Sequence, residues 1–177
     1  YLLAGVGISA LAVDGANRKW VGTLDNGIYV LSPDALTVEN HFTVENSPLF
    51  SNEIWSIACH PTSGDVMIGT SKGLMSYQAH VSLPATALHN DNIRVYPNPV
   101  RPDYSGQITL DGLVTDAEVR VVTEDGHLVT RGKSLGGTFT WDGRTPNGER
   151  AASGVYYFYI TAQNGAQHAV AKVSFVR

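Results

Sequence analysis

Histidine is the residue type in this sequence whose chemistry most directly suggests a bound metal. Zinc sites favour histidine pairs spaced two or four residues apart, because such pairs point to one side of a strand or helix. None of the six histidines has a partner at that spacing; they are His41, His60, His80, His89, His127 and His168. The spacing therefore predicts no metal site.

The acidic turns could instead supply oxygen ligands to calcium. A calcium loop places several carboxylates at alternate positions, as in Asp-x-Asp-x-Asp-Gly, and the sequence lacks that pattern. Single pairs such as Asp142-Gly143 and Asn147-Gly148 are typical of hairpin turns. We interpret them as turns and predict no cofactor.

Serine hydroxyls are candidate nucleophiles, and Ser9, Ser56 and Ser153 lie in strand or turn contexts. A catalytic serine needs a neighbouring base, and in many hydrolases it lies in a Gly-x-Ser-x-Gly turn. None of these three serines has that surrounding sequence. With no catalytic constellation recognised, we predict that the chain is not an enzyme and has no catalytic residues.

Trp141, in Trp141-Asp142-Gly143, has two interpretations. An indole face stacks well on a sugar, so Trp141 could be a carbohydrate platform. It could equally be a buried anchor for the loop that follows. Because residues 142–153 are rich in Gly, Asn and Pro and need a fixed entry, the sequence favours the anchor.

Composition places these residues in a folded, weakly charged chain. Of the 177 residues, 43% are hydrophobic and 16% are charged, with a net charge of −4. This composition is too apolar for a disordered segment and its length suits two small domains. Nucleic acid is excluded as a partner because there is no basic excess to neutralise phosphates.

Cys59 is the single cysteine, so no disulfide forms within the chain. It lies in an apolar run, where a thiol usually packs as a small hydrophobic group. The opening residues Tyr1–Val6 have neither the basic start nor the length of a signal peptide or membrane span. We therefore predict no transmembrane segment and expect the sequence to begin inside a larger protein.

An internal repeat organises the first half. Leu11 and Ile57 are 46 residues apart and Gly22 and Gly69 are 47 apart, each pair in a matching strand pattern. That period is typical of one four-stranded propeller blade. Residues 1–78 are thus predicted to be the C-terminal blades of a β-propeller. Two blades cannot close a ring, so further blades are expected upstream.

The second half has the pattern of a sandwich. Residues 79–92 have a linker-like composition, and seven short strand-like runs follow in residues 93–177. These runs are residues 93–96, 107–110, 117–122, 128–131, 138–141, 154–161 and 169–176. Turn residues separate them, as in immunoglobulin-like sandwiches. The predicted fold class is all-β: a partial β-propeller of two blades followed by an immunoglobulin-like β-sandwich.

Four motifs of the second half resemble the C-terminal domains of type IX secretion substrates. They are Val95-Tyr96-Pro97-Asn98-Pro99-Val100, Glu124-Asp125-Gly126-His127-Leu128-Val129, Trp141-Asp142-Gly143-Arg144 and Ala152-Ser153-Gly154-Val155-Tyr156. The first half resembles the two-component regulator propellers of Bacteroidetes-type bacteria, with Pro48–Ile54 as a blade entry. The combination is similar to the PorZ-like surface components of the type IX secretion system.

The resemblance implies a non-catalytic role at the outer-membrane-associated cell surface or in the periplasm. It implies two classes of partner: secretion-machinery proteins or cargo C-terminal domains, and anionic lipopolysaccharide or another glycan. It assigns no individual binding residue. The alternative is an exported cargo protein, glycan-binding or glycan-active, whose C-terminal domain is a sorting signal.

Overall fold

A computed structural model of the chain describes residues 2–176 and divides them into two compact units. The first unit ends at Leu83 and the second begins at Pro84, within the segment 79–92 for which a linker is predicted. Both sides of this boundary are hydrogen-bonded to their own unit. The Leu83 N–H donates to the Pro61 carbonyl at 2.8 Å, and the Ala85 N–H donates to the Leu113 carbonyl at 2.8 Å.

The regular secondary structure of residues 2–176 consists of β-strands and one 3₁₀ turn at Asn90–Asn92. This confirms the all-β prediction. No helix in this described part of the chain combines the length and apolar character needed to cross a membrane.

The first unit contains two antiparallel sheets, each with its strands in chain order. The first sheet consists of β1 (Ile8–Val13), β2 (Lys19–Thr23), β3 (Ile28–Leu31) and β4 (Val38–Phe42), and the second sheet of β5 (Ile54–Cys59), β6 (Asp65–Thr70) and β7 (Gly73–Gln78). Neither sheet closes on itself within residues 2–176, so the two-blade propeller stays a prediction.

A hydrophobic core lies between these two sheets. Trp20, Ile28 and Val30 of the first sheet are buried with Ile54 and Ile68 of the second. At Gly22 a Cβ atom would lie 2.6 Å from Cγ2 of Ile54. The glycine of this Gly-Thr step therefore allows the sheets to approach closely.

The second unit is a sandwich of two antiparallel sheets. The third sheet has the order β11 (Leu128–Lys133), β10 (Glu118–Thr123), β13 (Gly154–Thr161), β14 (His168–Phe175), and the fourth sheet β12 (Thr138–Trp141), β9 (Ile108–Asp111), β8 (Arg94–Tyr96). Each of the seven predicted strands is present, beginning within one residue and ending within two residues of its predicted bounds.

The inward residues of the two sheets form one core. Leu110, Val119 and Phe158 are fully buried in it. Residues Trp141 and Tyr156 contribute an aromatic cluster, with 5.3 Å between their ring centroids. Outward residues alternate with these along each strand, as expected for a half-buried sheet.

The outer edge of β14 is covered by the Tyr96-Pro97-Asn98-Pro99-Val100 motif. The Asn98 side chain accepts from the Ser174 N–H at 3.1 Å and donates to the Lys172 carbonyl at 3.2 Å. The Val100 N–H donates to the Ser174 carbonyl at 2.8 Å. The motif thus satisfies backbone groups that would otherwise leave an open strand edge.

Candidate interaction surfaces

The histidines lie in separate surroundings. Among residues 2–176, no three His, Cys, Asp or Glu side chains converge as metal ligands. His41 stacks on Tyr29 with ring centroids 3.9 Å apart, and its Nε2 lies 2.7 Å from the Asn26 carbonyl oxygen. The exposed His127 pairs with Asp125 through Nδ1 and Oδ2 at 2.8 Å. These contacts fix turns and strands.

The Gly-x-Ser-x-Gly pattern does occur twice in the chain, around serines other than Ser9, Ser56 and Ser153. The two occurrences surround Ser71 (Gly69 to Gly73) and Ser134 (Gly132 to Gly136). A nucleophile elbow joins a strand to a helix, whereas both segments here join strand to strand. Ser71 Oγ contacts Ser51 Oγ at 2.9 Å, and Ser134 Oγ donates to the Val114 carbonyl at 2.7 Å. Neither contact supplies a base.

Ser9, Ser56 and Ser153 also lack the partners that catalysis requires. Among the hydrogen bonds of residues 2–176, none joins one of these hydroxyls to a histidine ring or a carboxylate. The Ser9 hydroxyl is buried without a hydrogen-bond partner in the described chain. None of these three hydroxyls is therefore activated as a nucleophile by a neighbouring base.

Cys59 faces the core between the first and second sheets. Burial there raises the pKa of its thiol to about 11, with the nearby Asp14 carboxylate adding to the shift and Arg18 opposing it. Because the thiolate is the reactive form, Cys59 is a poor nucleophile at neutral pH.

We predict that Cys59 reacts slowly with iodoacetamide. Relative to a thiol with pKa 9.0, a thiol with pKa about 11 has a thiolate fraction on the order of fifty- to a hundredfold smaller at about pH 8.5. Its alkylation rate should keep rising up to about pH 11, measured by mass spectrometry. A rate that is half-maximal near pH 9 in the folded protein, as expected for the urea-unfolded control with its thiol pKa of 9.0, would contradict this.

A buried ionic network that was not predicted from the sequence lies at the β1–β2 turn. Asp14 Oδ1 accepts from the Ala16 and Arg18 backbone N–H groups at 2.9 and 3.0 Å. Its Oδ2 accepts from Arg18 Nε at 2.7 Å and from Trp20 Nε1 at 2.9 Å. The carboxylate thereby holds the turn and orients the core tryptophan. An Asp followed by Arg four residues later at a turn was the available signal.

Trp141 is the buried anchor of its loop. It is 3% exposed, and its Nε1 donates to the Arg144 carbonyl at 2.9 Å. Its ring contacts Tyr156, Phe158 and Phe175 in the core. No ring face is therefore open to stack on a sugar, and the anchor interpretation is the correct one.

The outward face of the third sheet carries a cluster of cations and tyrosines, which we call the cationic face. Its members are Arg120, Arg131, Lys133, Lys172, Tyr157 and Tyr159, together with the carboxylate of Glu118. Strand register places Arg120 between Arg131 and Tyr159, directly opposite both. Tyr157 lies opposite Lys172. Opposite residues in a sheet lie about 5 Å apart at Cβ, so the cluster is continuous.

The charge of the cationic face departs from that of its unit. Residues 84–177 contain nine Lys or Arg and nine Asp or Glu, so the second half is neutral. The face nevertheless gathers four cations around one carboxylate, and Arg120 bonds to Glu118 from Nε and Nη2 at 3.0 and 2.9 Å. Tyr159 is 49% exposed beside these charges. Such a surface suits a partner that presents anions and hydroxyl groups.

Each sheet of the first unit packs one face against the other sheet and carries exposed residues on the opposite face. Ala12 and Trp20 lie on the packed face of the first sheet. Ala58 and Met67 occupy the corresponding repeat positions of the second sheet, paired in the same way, and both are exposed. The second sheet therefore exposes the face that the first sheet buries.

The other face of each sheet shows the reverse: its residues are packed in the second sheet and exposed in the first. Ile57 and Cys59 of the second sheet pack against the first sheet. Their counterparts Leu11 and Val13 in the first sheet are 65% and 51% exposed. Each end of the pair of sheets therefore exposes apolar residues, and their counterparts in the repeat are packed between the two sheets. These are apolar surfaces suited to a further sheet.

Comparison with known proteins first defines the class of the second unit. Residues 102–166 match the family of the FlgD Ig-like domain. This match covers strands β9 to β13 of the sandwich and agrees with the predicted immunoglobulin-like domain. No significant match was found among curated proteins.

Among solved structures, the chain is similar to PorZ, described as an essential bacterial surface component of the type IX secretion system of Porphyromonas gingivalis. The two share 35% sequence identity with a TM-score of 0.62, over 100% of this chain and 24% of PorZ. The resemblance to PorZ-like components predicted from the motifs is thus supported along the whole sequence. The chain spans about a quarter of the length of PorZ.

Two extracellular domains of B. thetaiotaomicron are more distant. One, from a one-component system, has 13% identity and a TM-score of 0.34 over 97% of this chain and 25% of its own. The other, from a hybrid two-component system, has 12% identity and a TM-score of 0.32 over 95% and 38%.

Proposed function

We propose that the chain is part of a non-catalytic surface component of a type IX secretion system. The observation that carries this proposal is the 35% identity to PorZ along the entire sequence. The proposed location is outside the cytoplasm, at the outer-membrane-associated cell surface, and the same similarity to a surface component supports it. The partners are other proteins of the secretion machinery or the C-terminal domains of its cargo.

In this proposal the first unit is two neighbouring blades of a β-propeller. Its repeat period and its two open apolar faces support that arrangement, because a blade is covered on both faces by its neighbours. The second unit is the immunoglobulin-like sandwich that follows the propeller.

The cationic face is the proposed glycan site, with anionic lipopolysaccharide as the ligand class. Four cations supply attraction to phosphate or carboxylate groups, and the exposed Tyr159 ring can lie against a sugar ring. A non-enzymatic role agrees with the surroundings of Cys59 and the five serines described above.

The secretion role is tested by removing residues 92–177 from the gene in the bacterium that encodes the protein. Cargo should then no longer reach the cell surface, as measured by surface proteomics. Normal secretion in the deletion strain would refute the proposal. The mass of the C-terminal region recovered from wild-type cells separates the alternative: a retained second unit identifies a machinery component, and a removed one identifies cargo.

The glycan site is tested with charge reversals. Binding of purified protein to immobilised anionic lipopolysaccharide should fall at least about tenfold in the double variant Arg131→Glu, Lys133→Glu, since several screened charge contacts are reversed. The matched control, Arg94→Glu with Arg101→Glu, changes the same net charge away from the cationic face. Equal loss in both variants would show attraction to net charge and not to this face.

A further inference from the structure

Two tryptophans of the first unit each donate to a carboxylate, and the two pairs differ in exposure. Trp20 is buried, and its partner Asp14 accepts four hydrogen bonds in the network at the β1–β2 turn. Trp55 is 61% exposed, and its Nε1 donates to Glu53 Oε1 at 3.1 Å. Among residues 2–176 this indole is the only donor to the Glu53 carboxylate. The second pair therefore leaves a ring and a carboxylate accessible to a ligand.

A β-bulge in β5 presents the Trp55 side chain. Ile54 pairs with Thr70 of β6 and Ser56 pairs with Gly69, so Trp55 has no partner residue across this ladder. Bulges of this kind re-aim a side chain relative to the regular alternation of a strand, and they are frequent beside functional sites.

The first sheet has the same bulge with a small residue in it. Its register shifts between Ile8 and Ala10, which leaves Ser9 in the position that Trp55 occupies 46 residues later. The bulge is thus a feature of the repeat, whereas the indole is particular to the second sheet. Backbone geometry does not require a large ring at this position.

The Glu53 backbone is fixed on both sides. Its N–H donates to Ser51 Oγ at 3.2 Å, and its carbonyl accepts from the Ser71 N–H at 3.1 Å. The two serine hydroxyls contact each other at 2.9 Å. Ring and carboxylate therefore have a defined relative position before any ligand arrives, which reduces the conformational entropy lost on binding.

The chemistry of the pair restricts the class of ligand. An electron-rich indole face attracts C–H groups, and a carboxylate oxygen accepts strong hydrogen bonds from hydroxyl groups. An apolar protein surface laid over Trp55 would desolvate Glu53 without supplying donors, which is costly. An anionic ligand is disfavoured, because residues 1–83 contain seven Asp or Glu and only three Lys or Arg. A neutral pyranose suits both groups, since it presents C–H groups on its faces and hydroxyls at its rim.

We infer that Trp55 and Glu53 form a binding site for an uncharged saccharide. The pyranose ring lies against the indole, and a rim hydroxyl donates to Glu53 Oε2. This site is separate from the cationic face, which attracts anionic groups, so either site can be present without the other.

The probe is cellotriose, whose glucose rings have equatorial hydroxyls and therefore apolar C–H faces. Titrated into ¹⁵N-labelled protein, it should shift the Trp55 indole N–H signal and leave those of Trp20 and Trp141 in place. The expected dissociation constant is on the order of millimolar, because one ring and a few hydrogen bonds offset little of the entropy lost on binding. Sorbitol, an acyclic polyol, is the matched ligand control and should cause no shift.

Three variants assign the binding to its groups. Trp55→Ala should weaken binding about tenfold, measured from the amide shifts of Glu53 and Ser71, because the stacking surface is lost. Glu53→Gln keeps an oxygen acceptor but loses the charge, so binding should weaken about three- to tenfold. Tyr159→Ala removes a ring that is 49% exposed on the cationic face and should bind within about twofold of wild type, since the sites are independent. Unchanged Trp20 and Trp141 signals verify the fold of each variant.

The inference is overturned if cellotriose at about 20 mM, well above the expected dissociation constant, shifts no signal of Trp55. It is also overturned if sorbitol causes the same shift, if Glu53→Gln binds as tightly as wild type, or if Tyr159→Ala loses as much affinity as Trp55→Ala. Iodide quenching of fluorescence in the complete protein, read as the difference between wild type and Trp55→Phe, gives the last test. If iodide does not reach Trp55, polypeptide outside residues 2–176 covers the ring and the saccharide site is refuted.

Discussion

Replacing Asp14 by asparagine is expected to destabilise the first unit by about 3 kcal/mol or more. The carboxylate accepts from Arg18 Nε and Trp20 Nε1 through a single oxygen, and both Asp14 and Arg18 are buried. An amide in its place either turns an N–H toward these donors or leaves the buried guanidinium with only the more distant Glu39 carboxylate, 3.8 Å from Arg18 Nη1. Loss of one partner of a buried ion pair typically costs about 3–5 kcal/mol.

The measurement is a urea titration followed by the indole N–H signal of Trp20. The matched control is Glu118→Gln, which removes an exposed ion pair with Arg120 on the cationic face. Its effect, read from the indole signal of Trp141, should stay below about 1 kcal/mol because exposed pairs contribute little. Similar losses of unfolding free energy in both variants would show that the buried Asp14 network stabilises the fold no more than an exposed ion pair does.

Replacing Gly27 by alanine should have an equally large effect. Gly27 has φ +74°, and a Cβ atom there would collide with the Phe42 carbonyl oxygen of β4. Its N–H also donates to the Asn52 carbonyl at 2.9 Å. The left-handed backbone alone costs an alanine about 1–2 kcal/mol, and displacing a paired strand raises the total to at least about 3 kcal/mol.

Gly5→Ala separates the two contributions. Gly5 has φ +81° and no atom within 4 Å of the added Cβ, so it should lose about 1–2 kcal/mol. Both variants are compared by the same Trp20 signal. If Gly27→Ala were no worse than Gly5→Ala, the close approach of β4 to this turn would not matter for stability.

The strands of the second unit could be predicted from sequence because local signals agreed there. Pairs such as Asn164-Gly165 and Glu124-Asp125-Gly126 mark turns, and alternation between them gives the strand faces. Tyr156 and Phe158 are buried while Tyr159 is exposed, as a period of two requires. These features depend on neighbours along the chain, which a sequence displays.

Exposure in the first unit could not be read in that way. Trp20 and Met67 hold the same repeat position, yet one is 1% and the other 39% exposed. The difference arises because Trp20 has the second sheet against it, and sequence periodicity does not tell which sheets lie next to one another.

The candidate surfaces were hidden for a related reason. Arg120, Arg131 and Tyr159 are distant in sequence and meet through strand register. A one-residue shift of register would move each to the opposite face. The Asp14 network depends on side-chain rotamers in a turn. Strand pairing and side-chain conformation, on which these features depend, are properties of the folded chain.

The unlike end faces of the first unit also limit its symmetry. An interface related by a two-fold axis brings a patch against itself, whereas here a face of the Leu11 type matches one of the Met67 type. Contacts of that kind are head-to-tail. A sheet added to one end covers the exposed face there and exposes a new face of the same type. Growth then stops when a ring closes or the polypeptide ends. In the propeller proposed above, the number of blades is therefore set by the curvature of the array and the length of the polypeptide, and not by saturation of an end face.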